Sequence, residues 1–128
     1  MKLFNWLTVA GGIIGGSISY LLGGWDSISK CLVLFILLDW FTGLSSALYN
    51  GHASSQKGFK GVIKMVAKIL AVFVSAIMQD YLALPVRDFV VMFFVLNDGL
   101  SIVENLGEII EMPPAIKRAL ESLRGDDK

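Results

Sequence analysis

Apolar and polar positions alternate along this chain on the scale of whole helices. Four apolar runs, 3–22, 31–49, 62–84 and 86–106, are separated by short polar or glycine- and proline-rich breaks. About 20 residues at 1.5 Å per residue cross a ~30 Å hydrocarbon layer, so each run is long enough to span a bilayer as a helix. The breaks carry turn chemistry. Gly23-Gly24-Trp25-Asp26-Ser27 combines glycines with an interfacial tryptophan. The stretch NGHASSQKGFKG, 50–61, is polar and bounded by glycine. Leu84-Pro85 interrupts a helix because proline disfavours a helical residue before it. Met112-Pro113-Pro114 closes the last run. Beyond it, 115–123 places Ile116, Ala119, Leu120 and Leu123 on one face, which predicts a short amphipathic helix in the tail 112–128.

The fourth run differs from the others. It starts as FVVMFFVL and then admits acids and amides without losing its helical period. Asn97, Ser101, Glu104, Asn105 and Glu108 fall on one stripe, with Asp98 at its edge. Ionisable groups at membrane depth cost about 2.5–3.5 kcal/mol each on insertion scales, so they face protein or water rather than lipid. The stripe is read as a pore-lining or oligomer-forming face.

Composition supports this reading. The 128 residues are 55% apolar and 17% charged, against about 25% charged in a soluble domain. The chain reads as a single all-α integral membrane domain over 1–128. Four transmembrane helices are expected. The alternative is three, with the glycine-rich first segment lying on the surface. Segment 3–22 has only Lys2 before it and no convincing cleavage site, so it reads as retained rather than as a signal peptide. Zero net charge gives no reason to expect a nucleic-acid partner. The lone Cys31 excludes an intrachain disulfide and a cysteine-based zinc cluster, and His52 reads as a solvated loop residue. No catalytic set, metal or cofactor is expected.

Four crossings put both termini and the 50–61 loop on one side. That side holds eight basic residues, Lys2, Lys57, Lys60, Lys64, Lys117, Arg118, Arg124 and Lys128. The other side holds two, Lys30 and Arg87. The positive-inside rule then makes both termini cytoplasmic. Lys68 falls inside the third segment. Counted from the cytoplasmic ends, Lys68 lies about 9 Å deep and Asp98 about 12 Å deep, so Asp98 or Asp39 can neutralise Lys68, and Lys64 can reach Glu104. Thr42, Ser46 and Asn50 continue the Asp39 face. Gly11, Gly12, Gly15 and Gly16 form overlapping small-xxx-small patterns that suit close helix approach, within the protomer or between copies. Trp40, at mid-segment, reads as a packing residue.

Two blocks carry a family resemblance. The first is Leu38-Asp39-Trp40-Phe41-Thr42-Gly43-Leu44 followed by Ala47; the second is Asn97-Asp98-Gly99-Leu100-Ser101-Ile102-Val103-Glu104-Asn105 followed by Pro113-Pro114. Together with the basic 55–64 linker they resemble the small phage holins of the toxin-secretion/phage-lysis family, which includes clostridial toxin-export holins. Members commonly carry glutamate where Asp98 stands. The resemblance covers roughly 25–123. It implies a homo-oligomer in the bacterial cytoplasmic membrane, without enzymatic activity. That oligomer would open large lesions at a programmed time and release an endolysin or a toxin. Against it stand a small ion channel or transporter, and an antiholin-type regulator or scaffold.

Overall fold

The computed structural model describes residues 2–125. Lys128, counted above on the basic side, lies outside the described residues. Five helices follow one another: α1 Lys2–Leu21, α2 Ser27–Tyr49, α3 Ser55–Leu82, α4 Val86–Gly107 and α5 Pro114–Arg124. Helices α2, α3 and α4 pack into a bundle, with α2 and α4 in the most extensive contact. Helix α1 leans on α3. Since α3 returns between them, α2 and α4 run parallel.

Two helices begin earlier than the hydropathy pattern predicts, for the same reason. Helix α2 starts at Ser27 rather than 31, because the Asp26 carboxylate accepts the Ser29 amide at 3.1 Å. Helix α3 starts at Ser55 rather than 62, because the Ser54 hydroxyl accepts the Lys57 amide at 3.1 Å. Side-chain caps satisfy amides that a helix start leaves open, so helix formation runs past the apolar boundary into polar sequence. The basic 55–61 linker is therefore helical. Helix α3 also ends early, at Leu82, where Ala83 takes a left-handed conformation (φ 53°) before Leu84-Pro85. Helix α4 has no side-chain cap of its own. The Gln79 side chain instead accepts the Arg87 amide at 3.2 Å across the turn.

Burial is inverted relative to a water-soluble bundle. The fully buried side chains include Asp98 and Ser29, while Phe93 is 65% exposed and Leu96 67%. Helices α2, α3 and α4 are long and apolar enough to cross a membrane. Helix α1 does not join them among the described residues, because glycine, serine and asparagine dilute its apolar content. Residues 4–17 of α1 are all exposed, and only its end, from Ile18 onward, packs on the bundle. The apolar core sits at that same end: Leu22, Leu32, Ile36, Val72 and Val91.

A buried arginine ties this end together. The Arg87 guanidinium donates to the Leu22 carbonyl at 2.6 Å, to both Asp26 carboxylate oxygens at 2.9 and 3.0 Å, to Asp88 at 3.1 Å and to the Ser29 hydroxyl. It thus joins the start of α4 to the α1–α2 turn. Gly23 lets the turn approach it. A Cβ there would lie 3.0 Å from both the Arg87 Nε and the Ala76 Cβ, and its φ of 76° disfavours any side chain. The Arg87 hydrogen bonds hold the Asp26 carboxyl far below the usual carboxylate range. At the opposite end, the Trp40 indole donates to the Gly58 carbonyl at 3.3 Å and lies flush on Gly61, where a Cβ would come within 2.5 Å of the ring.

Each end can be probed separately. Arg87→Met should lower the stability of the detergent-solubilised protein by about 2–3 kcal/mol, the scale of lost charged hydrogen bonds, and Arg87→Lys should not restore it, because an ammonium cannot form the fork. Asp26 loses its proton more readily when folded, so its stabilisation is present above its unfolded pKa of about 3.8 and fades as pH falls below it. The melting-temperature gap between wild type and Asp26→Asn should therefore be constant above about pH 5 and narrow in more acid buffer. At the other end, Gly61→Ala should displace Trp40, seen as a shifted tryptophan emission and a loss of about 1–3 kcal/mol, the usual cost of overpacking.

Candidate functional site: a polar seam inside the bundle

The apolar helices are joined by a seam of polar side chains that runs from mid-bundle to the basic end. Its deepest member is Asp98, fully buried on α4. The Lys68 ammonium of α3 sits 2.5 Å from one Asp98 oxygen and 3.6 Å from Asp39 of α2. One lysine thus bridges two acids from two helices. The other Asp98 oxygen is buried without a hydrogen-bond partner. Removing one member of such a buried cluster costs about 3–5 kcal/mol, because the remaining charge is stranded in a poor solvent.

Toward the basic end the seam continues with neutral groups. The Asn105 amide of α4 donates to the Thr42 hydroxyl at 3.0 Å and lies 3.4 Å from both the Asp39 carbonyl and its carboxylate. Thr42 donates in turn to the Leu38 carbonyl at 2.7 Å. Gly43 lies beside this contact, where a Cβ would rest in ordinary van der Waals contact 3.5 Å from the Asn105 amide nitrogen. One turn on, Glu108 accepts from the Ser46 hydroxyl and from the Asn50 amide at 3.4 Å. The α2 partners, 39, 42, 46 and 50, recur at helical spacing. Their direct partners from the α4 side, Asn105 for Asp39 and Thr42 and Glu108 for Ser46 and Asn50, advance in the same direction, as parallel helices require. Ser101, half-buried, lines the cleft beside the seam.

The single stripe expected on α4 divides into two faces. Asp98, Ser101, Asn105 and Glu108 turn toward α2 and α3, and Asp98, placed at the stripe's edge by sequence, is its most buried member. Asn97 and Glu104 turn the other way, toward α5. Glu104 meets Arg124 at 2.5 Å, and Asn97 is exposed beside Leu123 and Arg124. The expected Lys64–Glu104 pair is not formed. Helix α5 folds back along α4 and supplies the cation instead, while Lys64 points into a cleft between α2 and α3. A methyl group placed on Gly11, Gly12, Gly15 or Gly16 would meet nothing within 4 Å, so these glycines make no close contact inside the protomer.

Arg87 and Arg124 are the polar residues whose role the sequence did not disclose. Arg87 counted only as a loop charge. Its signal was the lone arginine shortly after Pro85, opposite an Asp-containing turn that the topology brings to the same end. Arg124 counted only toward the basic end of the chain. Its signal was the Pro113-Pro114 break, which allows a short helix to reverse onto α4.

Comparison with known proteins finds relatives over most of the chain. An uncharacterised protein of Listeria monocytogenes is 34% identical over 125 residues, which covers 91% of this chain and 89% of that protein. An uncharacterised 14.9 kDa protein of Clostridium perfringens is 30% identical over 115 residues, 86% of each. A probable holin of Bacillus phage phi105 is 30% identical over 112 residues, 85% of this chain and 82% of its own length. No solved structure matches. The sequence profile of the bacteriophage holin family matches residues 16–125, from the last turns of α1 through the α2–α4 bundle to the end of α5, and the chain belongs to that family.

Proposed function

We propose that this protein is a working holin. It accumulates in the bacterial cytoplasmic membrane with both termini inside and oligomerises there. At a programmed time it opens a large, non-selective lesion through which an endolysin or a toxin passes. It has no enzymatic activity of its own. The observation that carries the reading is the Lys68–Asp98–Asp39 cluster, with Asp98 fully buried, held between helices whose outer surface is apolar. A protomer built this way is stable among lipids while its polar groups satisfy one another. The same groups, turned toward water, would line a hole.

The energetics favour a collective event. Opening one protomer alone exposes the seam to hydrocarbon, at several kcal/mol per unsatisfied group. Opening many together lets each seam face the same water. That asymmetry gives a threshold in protomer number, which suits a timed function. Helix α1, less apolar than α2–α4, contributes to assembly by crossing the membrane against a neighbouring copy that covers its small-residue face. Its face of Gly11, Gly12, Gly15 and Gly16 is unused within the protomer and allows close backbone contact. The Glu104–Arg124 pair holds α5 against α4 in the closed form.

Expression in a bacterium, with a cytoplasmic reporter enzyme assayed in the medium, tests the reading. A holin should release the enzyme abruptly. Leakage of ions without enzyme would replace the large lesion with a narrow channel, and protection of cells from a second holin would make the protein a regulator. The paired variant Asp98→Leu, Glu104→Leu should insert normally and shift the onset of release by at least about twofold, given the size of the interactions removed. On-time release by that variant, at equal membrane abundance, would leave the seam without a part in timing.

A further inference from the structure

The basic end of the bundle contains a cleft between α2 and α3 that opens beside the polar seam, with Asp39, Lys68, Ser101 and Asn105 in its inner lining. Its volume is about 230 Å³. One wall is Trp40 and Asp39 of α2; the other is Lys57, Gly58, Gly61 and Lys64 of α3. Lys68 closes its deep end, already paired with Asp98 and Asp39. Lys57 and Lys64 are exposed, and neither has a carboxylate within ion-pair distance among the described residues. The outer part of the cleft therefore presents two uncompensated ammonium groups beside backbone and an indole edge, while the Asp39 carboxylate lies farther in, paired with Lys68.

The depth of the cleft decides what can fill it. Helix α3 has 28 residues, more than a bilayer core requires. Measured back from Leu82, about 20 residues use up the ~30 Å of hydrocarbon and place the boundary near Val62. Lys64 then lies at the boundary, and Lys57 lies within the head-group layer. Trp40, hydrogen-bonded to Gly58, sits at the same level, where indoles favour the interface. The amino-terminal end of α3 adds its positive dipole to the same layer. At Gly58 an added Cβ would meet nothing within 4 Å, so that part of the wall is open to an approaching group, while Gly61 is covered by the Trp40 indole.

We propose that this cleft binds the phosphate of an anionic membrane phospholipid, held by Lys57 and Lys64 with its acyl chains running down the exposed apolar surface of α2 and α3. Leu37 and Val66 are among the exposed apolar residues of these two helices. The inference rests on α2–α4 spanning a bilayer, and not on lesion formation. A bound lipid would fasten α3 to α2 across the cleft and so oppose rearrangement of the seam.

Native mass spectrometry of the full-length protein in neutral detergent tests this, with phosphatidylglycerol and phosphatidylcholine of equal chain length in competition. Wild type should retain phosphatidylglycerol at least about tenfold better, the scale expected for two lysines at a membrane surface. Lys57→Gln, Lys64→Gln should bring the ratio below about twofold, and Lys57→Arg, Lys64→Arg should keep it. Lys117→Gln, Arg118→Gln removes the same charge from α5 and should leave the ratio unchanged. Equal retention of the two lipids by wild type would overturn the proposal. So would a preference that survives the lysine-to-glutamine pair, or an equal loss in both glutamine pairs. Displacement of phosphatidylglycerol by millimolar inorganic phosphate would assign the cleft to a free anion and overturn the lipid. Circular dichroism of each variant should match wild type. Because retention is read on purified protein, a failure to lyse cells has no bearing on it.

Discussion

The structure depends on one rule of its solvent: in hydrocarbon a polar group is satisfied inside the protein or not at all. Lys68 enforces the rule. An ammonium at that depth needs a counter-ion, and Asp98 supplies it at 2.5 Å from a neighbouring helix, with Asp39 behind it. The lysine comes from α3 and the acids from α2 and α4, so one electrostatic requirement fixes the relative register of all three helices. Apolar packing could not do so, because lipid tails solvate leucine as well as another helix does. Asn105 with Thr42, and Glu108 with Ser46, then extend the fixed register toward the basic end.

Much of this was legible in the sequence, because membrane depth is nearly a one-dimensional quantity. Counting residues from the ends of the third and fourth segments puts Lys68 and Asp98 level. The face spacing of Asp39, Thr42, Ser46 and Asn50 identifies the side of α2 that meets α4. Rotation about a helix axis is harder to read. Asp98 and Asn97 are neighbours in sequence, yet one is sealed in the bundle and the other is exposed toward α5. Nothing in the period of a single helix says which side of a broad polar stripe has partners. The Lys64–Glu104 pairing failed for that reason: depth was matched and azimuth was not. Helix starts were misread for a different one, since caps at Asp26 and Ser54 act through local hydrogen bonds that hydropathy does not register.

The two ends of the bundle are built differently, and the difference bears on how it could rearrange. At one end the buried Arg87, the packed turn at Gly23 and the apolar core of Leu22, Leu32, Val72 and Val91 bind four chain segments into a rigid unit. At the other end the contacts are separate and polar: an indole on a glycine carbonyl, an amide on a hydroxyl and an aspartate, a carboxylate on a serine and an asparagine. Separate polar contacts exchange for water at small net cost once water is present, because each lost bond is replaced. A dense apolar core has no such substitute. Water admitted at the basic end would therefore loosen the seam progressively, from Glu108 through Asn105 to Lys68, while the Arg87 end stayed shut as a pivot. On the proposed function, the distribution of contacts would give opening a direction, with the charged cluster as the last barrier before the Arg87 end.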